Sequence, residues 1–98
     1  MNIIKTQNAG ALNIALEGSL NTTTAPLLEA ELKTSLDGIS ELVLDFAKLD
    51  YISSAGLRVL LSAQKVMAKT GKMKVIHANE SIMEIFDITG FSDILNIE

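Results

Sequence analysis

Cysteine and tryptophan are absent from the 98 residues, and there is one proline, one tyrosine and one histidine. Without cysteine, disulfides, thiolate catalysis and cysteine-based metal sites are excluded, and a reducing compartment is expected. His77, the lone histidine, has no second histidine with which to form a metal pair, and no nucleophile lies at a fixed spacing from it. Its expected role is structural or solvent-facing, and no cofactor is expected.

Long apolar runs and positive charge are also scarce. No stretch approaches the ~18 consecutive apolar residues of a membrane span. The opening MNIIKTQNAG lacks the basic start and apolar run of a signal peptide, so a cytoplasmic location is expected. The net charge of −4 and the few aromatic rings disfavour nucleic acid and anionic membranes as partners. The 48% hydrophobic content is instead typical of one compact domain, spanning 1–98.

Glycines divide the chain into short elements that alternate between strand and helix patterns. Alternating apolar positions predict antiparallel strands at 2–7 and 11–17, and ELVLDF and KMKVIHA predict two further strands. Helices are expected from an N-cap at Thr24, over 54–70 up to Gly71, and from a cap at Asn79 or Ser81 to Gly90. Strands alternating with helices predict an α/β fold with a mixed sheet, parallel in its later part.

Two carboxylates near strand ends are candidates for acid–base chemistry. Asp45 and Asp50 lie where open α/β sheets place their sites. No insertion that could form a cleft is present, and no nucleophile–base constellation accompanies them. An enzyme is therefore the disfavoured hypothesis.

The segment LDYISSAGLRVLL places two hydroxyls and a glycine at the start of a long apolar helix. Ser53 or Ser54 could be a plain N-cap, which is also the ordinary role of the hydroxyls at Thr22 to Thr24. Gly56 is harder to explain, because glycine inside a helix costs roughly 1 kcal/mol relative to alanine. It predicts the close approach of a partner molecule. If both preceding strands end at one edge of the sheet, Asn21 lies beside Ser54.

Four blocks carry a resemblance to a known family over essentially the whole chain: LEGSLNTTTAPLLEAEL, ELVLDFAKLDYISSAGLRVLL, GKMKVIHANESIMEIFDITGF and DILNI. The chain resembles the STAS domain of bacterial anti-sigma factor antagonists. The family fold implies a mixed sheet of four to five strands packed against three to four helices. In such families the unphosphorylated antagonist binds an anti-sigma factor that is also a serine kinase, which frees the sigma factor, and phosphorylation ends the contact.

The resemblance assigns roles to individual positions. It implies that Ser54 is the phosphoacceptor and that Ser53 stands where well-known members have aspartate. Asn21 stands where the family often has an acidic residue, Ala55 replaces a hydroxyl of several members, and Arg58 replaces a glycine of some.

The expected protein is thus a monomeric binding switch. Its partners are an anti-sigma factor serine kinase, which supplies ATP and magnesium, and a serine phosphatase of the PP2C type. The expected contact residues are Asn21, Thr22, Ser53, Ser54, Gly56, Leu57 and Arg58. The alternative is a STAS scaffold or transport-system subunit in which Ser54 is only a helix cap.

Overall fold

The computed structural model describes all 98 residues, which form one four-stranded sheet and three α-helices. The elements in chain order are β1 (Asn2–Asn8), β2 (Ala11–Leu20), α1 (Ala25–Ser35), β3 (Glu41–Ile52), α2 (Ser54–Thr70), β4 (Lys72–Ile76), α3 (Glu80–Thr89) and a short 3-10 helix (Phe91–Asp93). No helix combines the length and the apolar character needed to cross a membrane.

The sheet is mixed and follows chain order, β1-β2-β3-β4. β1 pairs antiparallel with β2, whereas β2 with β3 and β3 with β4 are parallel, joined by α1 and α2. The predicted hairpin and the parallel crossovers are therefore confirmed. Such crossovers are almost always right-handed, which places two successive ones on the same face of the sheet, and α1 and α2 do contact each other.

The core lies between the sheet and the helices. Along β2, Leu12, Ile14 and Leu16 are buried, while the alternate side chains are only half-buried. This period of two marks one face as covered and the other as open to solvent. The largest fully buried side chains are Phe46 of β3 and Phe86 of α3. Both belong to the one hydrophobic core cluster.

β3 is longer than the sequence predicts. The apolar run ends at Phe46, but the strand continues to Ile52 through a segment containing Lys48 and Asp50. Pairing with β2 continues over this extension, with register shifts that absorb extra residues. The extension carries the chain to the start of α2.

Helix ends follow the predicted signals at two places. Asn79 caps α3, its side chain accepting from the Ile82 amide at 2.8 Å, and Gly90 ends that helix at a left-handed φ of 81°. Gly71 ends α2, but its backbone is extended (φ 168°) rather than left-handed. The glycine is needed there because a Cβ would overlap the backbone of Ser40.

The closing segment adds a fragment of a fifth strand. Ile97 forms a parallel bridge with Val75 of β4, and the Val75 amide donates to the Asn96 carbonyl at 2.9 Å. The family expectation of four to five strands and three to four helices is confirmed.

Candidate functional site

Two turns lie side by side at the carboxyl ends of β2 and β3. Leu20 pairs with Ile52 at the end of the parallel ladder, and the Ser53 amide donates to the Leu20 carbonyl at 2.8 Å. The chain leaves these strands as the turn before α1 and as the start of α2. The juxtaposition follows from parallel pairing, since both strands end at the same edge of the sheet.

Asn21, rather than Thr24, caps the turn before α1. The Asn21 Oδ1 accepts from the amides of Thr23 and Thr24, both at 3.0 Å, and the Asn21 carbonyl accepts from the Ala25 amide at 2.7 Å. Thr24 Oγ1 accepts in return from the Asn21 amide at 2.8 Å and donates to the Ser19 carbonyl at 2.7 Å. This reciprocal arrangement is that of a capping box, and it starts the helical path one turn before α1. Thr24 does occupy the predicted N-cap position before α1, but it has a helical backbone and its side chain makes no capping bond to α1.

Asn21→Ala is expected to lower the free energy of unfolding by about 1 kcal/mol, because two amides lose their acceptor. Urea unfolding of the purified domain measures the change. Thr22→Ala is the matched control, since Thr22 is exposed and forms no side-chain hydrogen bond, and it should change stability by less than about 0.5 kcal/mol. Equal stabilities for the two variants would contradict the capping role.

The two serines at the start of α2 are in different situations. Ser53 is half-buried and is the N-cap, its hydroxyl accepting from the Gly56 amide at 3.4 Å. Ser54 is the first residue of the helix, is exposed, and its hydroxyl has no hydrogen-bond partner in the chain. The cap of α2 is therefore Ser53 and not Ser54, whichever function the domain has. The Ser54 hydroxyl is accessible to a reacting partner.

Gly56 has a different role from the predicted one. It is buried, and a Cβ at this position would lie 2.7 Å from Leu20 Cγ and 2.8 Å from Ile52 Cγ1. Both of those side chains are themselves fully buried. The molecule that approaches Gly56 is therefore its own sheet, and Gly56 cannot be a surface contact. Leu57 is also a core residue, at 6% exposure, and is removed from the expected contact surface for the same reason.

The remaining predicted contact residues lie on the surface or near it. Thr22 and Arg58 are exposed, and Asn21 is half-buried. A groove of about 840 Å³ lies elsewhere, between α1 and α2, and none of these residues lines it. These residues therefore belong to the surface at the carboxyl ends of β2 and β3.

Two exposed apolar side chains near these turns were not predicted from the sequence. Leu27, in the first turn of α1, is 55% exposed, and Tyr51, paired with Ser19 before the β3 end, is 50% exposed. The exposure of Leu27 could have been predicted from the sequence, because Leu27 lies off the helix face formed by the buried Leu28 and Leu32. The exposure of Tyr51 could not have been predicted, because the predicted strand ends before this residue.

Asp45 and His77 form a separate pair on the open face of the sheet. His77 Nδ1 lies 2.9 Å from Asp45 Oδ1, and His77 has a left-handed φ of 62°. Burial raises the pKa of Asp45, but hydrogen bonds from the Ala47 amide and the His77 ring outweigh it, so the pKa lies below its ordinary value. Asp50 is exposed and takes no part in this pair. No group of three potential ligand residues that could hold a metal is present.

The depressed pKa of Asp45 gives a pH dependence with a definite sign. A carboxyl whose folded pKa is lowered adds stability above its unfolded pKa, about 3.9, and that contribution is lost as the pH falls through the folded value. Wild type should therefore lose more stability than Asp45→Asn between pH 6 and pH 3 in urea unfolding. His77→Ala should also flatten the profile, because it removes one of the two hydrogen bonds. Identical profiles for wild type and Asp45→Asn would contradict the assignment.

Comparison with known proteins decides the family. The family model of the STAS domain matches residues 2–98 of the chain. The chain belongs to the STAS domain family. It is 41% identical over 90 residues to BtrV of Bordetella bronchiseptica, which bears the name of an anti-sigma factor antagonist, covering 90% of this chain and 78% of that protein. The anti-sigma-B factor antagonist of Bacillus subtilis is 28% identical over 98 residues, covering 99% of this STAS domain and 90% of that protein.

Solved structures share the fold of this STAS domain at lower identity. An anti-sigma factor antagonist from Mycobacterium paratuberculosis has a TM-score of 0.87 at 20% identity, covering 98% of this chain and 83% of that one. The phosphorylated form of the Bacillus cell fate determinant SpoIIAA has a TM-score of 0.77 at 15% identity, covering 99% of this chain and 91% of that one. A sulfate transporter family protein from Wolinella succinogenes has a TM-score of 0.79 at 16% identity, covering 94% of this chain and 76% of that one. The fold alone therefore does not separate regulatory from transporter-associated STAS domains.

Proposed function

We propose that this STAS domain is an anti-sigma factor antagonist, whose binding to an anti-sigma factor serine kinase is controlled by phosphorylation of Ser54. The proposal rests on the different environments of the two serines. Ser53 caps α2, which leaves the Ser54 hydroxyl exposed and without a hydrogen-bond partner at the first helical position. The names of the two curated relatives support the same role.

The chain is the substrate of the phosphorylation rather than a catalyst. The γ-phosphoryl group of ATP passes to Ser54 Oγ, the hydroxyl proton is lost and ADP leaves, all within the active site of the kinase. ATP and magnesium are brought by that kinase, and a PP2C-type serine phosphatase returns the hydroxyl. The site on this domain needs only an accessible serine on a rigid element, which the start of α2 provides.

The proposed contact surface combines polar and apolar side chains around Ser54. Its polar members are Asn21, Thr22, Ser53 and Arg58. Leu27 and Tyr51 join them here because each exposes about half of a large apolar side chain near the turns. Buried apolar and aromatic anchors dominate the energy of most protein interfaces.

Phosphorylation acts on this surface through charge. A phosphate adds nearly two negative charges at pH 7, which the amino terminus of α2 tolerates in the free domain. In a complex the same dianion must be desolvated against a partner that fits the neutral hydroxyl. The free domain therefore stays folded while the complex is lost.

The test uses a preformed complex of a sigma factor and its anti-sigma factor kinase from the same genome, with ADP. Unmodified domain should release the sigma factor in size-exclusion chromatography and bind the kinase in its place. Lys72→Ala is the matched control and should act like wild type. Lys72 begins β4 and pairs with Glu41 at the start of β3, so it lies at the other end of the strands from Ser54. Failure of the wild-type domain to bind any of the anti-sigma factor kinases of that genome would overturn the proposal and favour the scaffold role.

A further inference from the structure

We propose that Arg58 clamps the phosphate of modified Ser54, its guanidinium binding the phosphate oxygens from one helical turn further along α2. This inference rests on the site of the proposed function. It assigns to Arg58 a contact within the modified domain, in addition to any contact with a partner.

Arg58 is the only arginine in the chain, and its charge is unused in the unmodified domain. Four lysines form ion pairs with glutamates: Lys5, Lys33, Lys48 and Lys74. Arg58 is exposed and forms neither an ion pair nor a side-chain hydrogen bond. Nothing in the folded chain therefore competes with a phosphate for its guanidinium.

The geometry of α2 brings Arg58 over Ser54. The two residues are separated by four positions on a continuous helix, which spans Ser54–Thr70. Such pairs have Cβ atoms about 5–6 Å apart on the same helix face. Helical side chains also lean toward the amino terminus, so the long arginine side chain runs back toward Ser54.

The surroundings favour an anion at this point. α2 has no acidic residue in its first turn, whereas α3 has Glu80 there. The first intrahelical hydrogen bond of α2 runs from the Leu57 amide to the Ser53 carbonyl at 2.9 Å. The amide of Ser54 lies before that bond and therefore has no carbonyl acceptor within the helix. An arginine fork can bind two phosphate oxygens at once, which a lysine ammonium cannot match in geometry.

The clamp has a consequence for the switch. A phosphate held by Arg58 lies along the first turn of α2 instead of extending into solvent. It therefore covers the exposed part of that turn and withdraws Arg58 from any partner. The modified domain loses two features of its contact surface in one step.

The test places phosphoserine at position 54 during translation, so that it needs no kinase. Phosphorus-31 NMR then follows the second ionisation of the phosphate in wild type, Arg58→Gln, Arg58→Lys and Lys65→Gln. Lys65 is the matched control, because it is an exposed cation on the same helix, three turns from position 54. Thermal unfolding of the unmodified variants checks that Arg58→Gln leaves the fold intact.

The acid dissociation constant of the phosphate should be about twofold larger in wild type than in Arg58→Gln, because the guanidinium favours the dianion. Arg58→Lys should lie between the two, and Lys65→Gln should match wild type. Equal constants in wild type and Arg58→Gln would overturn the clamp, as would an equal change in Lys65→Gln. A kinase that fails to modify Ser54 would remove the proposed function without altering this measurement, so the two failures are distinguishable.

Discussion

Gly56→Ala is expected to unfold more easily than wild type, with a net loss of about 1–2 kcal/mol. Alanine gains up to about 1 kcal/mol of helix propensity over glycine, but the added methyl overpacks a filled site at a typical cost of 1–3 kcal/mol. The overlap is with Leu20 Cγ and Ile52 Cγ1, at 2.7 and 2.8 Å, which are inner atoms of fully buried side chains and cannot swing aside. Thermal unfolding should show a decrease of roughly 5–10 °C in the midpoint.

Ser62→Ala is the control for helix propensity in α2, because Ser62 is exposed on the same helix. It should be neutral or slightly stabilising, by at most about 0.5 kcal/mol. A Gly56→Ala variant that was more stable than wild type but bound its partner poorly would restore the interpretation in which a partner approaches the glycine. The structure argues against that result, because no partner can reach a buried backbone.

Modification of Ser54 should reduce affinity for the anti-sigma factor kinase about 100-fold or more. Desolvating a phosphate dianion against a partner surface that fits the neutral hydroxyl costs about 3 kcal/mol or more, which corresponds to roughly that factor. Ser54→Asp should lose less, about tenfold, because one carboxylate has half the charge of the phosphate. Ser54→Ala should bind like wild type. Isothermal titration calorimetry in the presence of ADP measures all three variants.

Ser53→Asp is the charge-matched control for this prediction. Aspartate is as good an N-cap as serine, and the hydroxyl of Ser53 already points at the Gly56 amide within the domain. Although Ser53 belongs to the contact surface, the helix terminus should hold the added charge, so Ser53→Asp should reduce affinity less than Ser54→Asp does. Equal losses for Ser53→Asp and Ser54→Asp would show that net charge, and not the position of Ser54, determines binding.

Local signals in the sequence predicted most of the fold. Asn79 and Gly90 delimit α3 because a cap and a left-handed stop depend on neighbours a few residues away. The ion pair between Glu29 and Lys33, at 3.7 Å, likewise depends on helix spacing alone. The parallel order of β2, β3 and β4 followed from the alternation of strands and helices.

The errors concern features that depend on distant residues. The extension of β3 from Phe46 to Ile52 is maintained by pairing with β2, and its own polar residues do not predict a strand. Gly56 was misread because Leu20, which fills the space beside it, lies 36 positions earlier in the chain. Asp45 and His77 were both singled out, but their contact spans 32 residues and became visible only in the structure.

The candidate site was predicted in part. The juxtaposition of the turn at Asn21 with the start of α2 follows from parallel pairing, and the structure has it. Which serine caps the helix could not be decided from the sequence, because Ser53 and Ser54 are chemically identical and adjacent. The backbone decides it: Ser53 has the extended conformation of an N-cap, with φ −100° and ψ 175°.

The most direct test of the central claim is the location of the phosphate after incubation of the domain with its anti-sigma factor kinase and ATP. Tandem mass spectrometry should find one phosphate, on Ser54, in wild type and in Ser53→Ala, and none in Ser54→Ala. A phosphate on Ser53 or Thr22, full labelling of Ser54→Ala, or no labelling by a kinase that binds the domain would contradict the account.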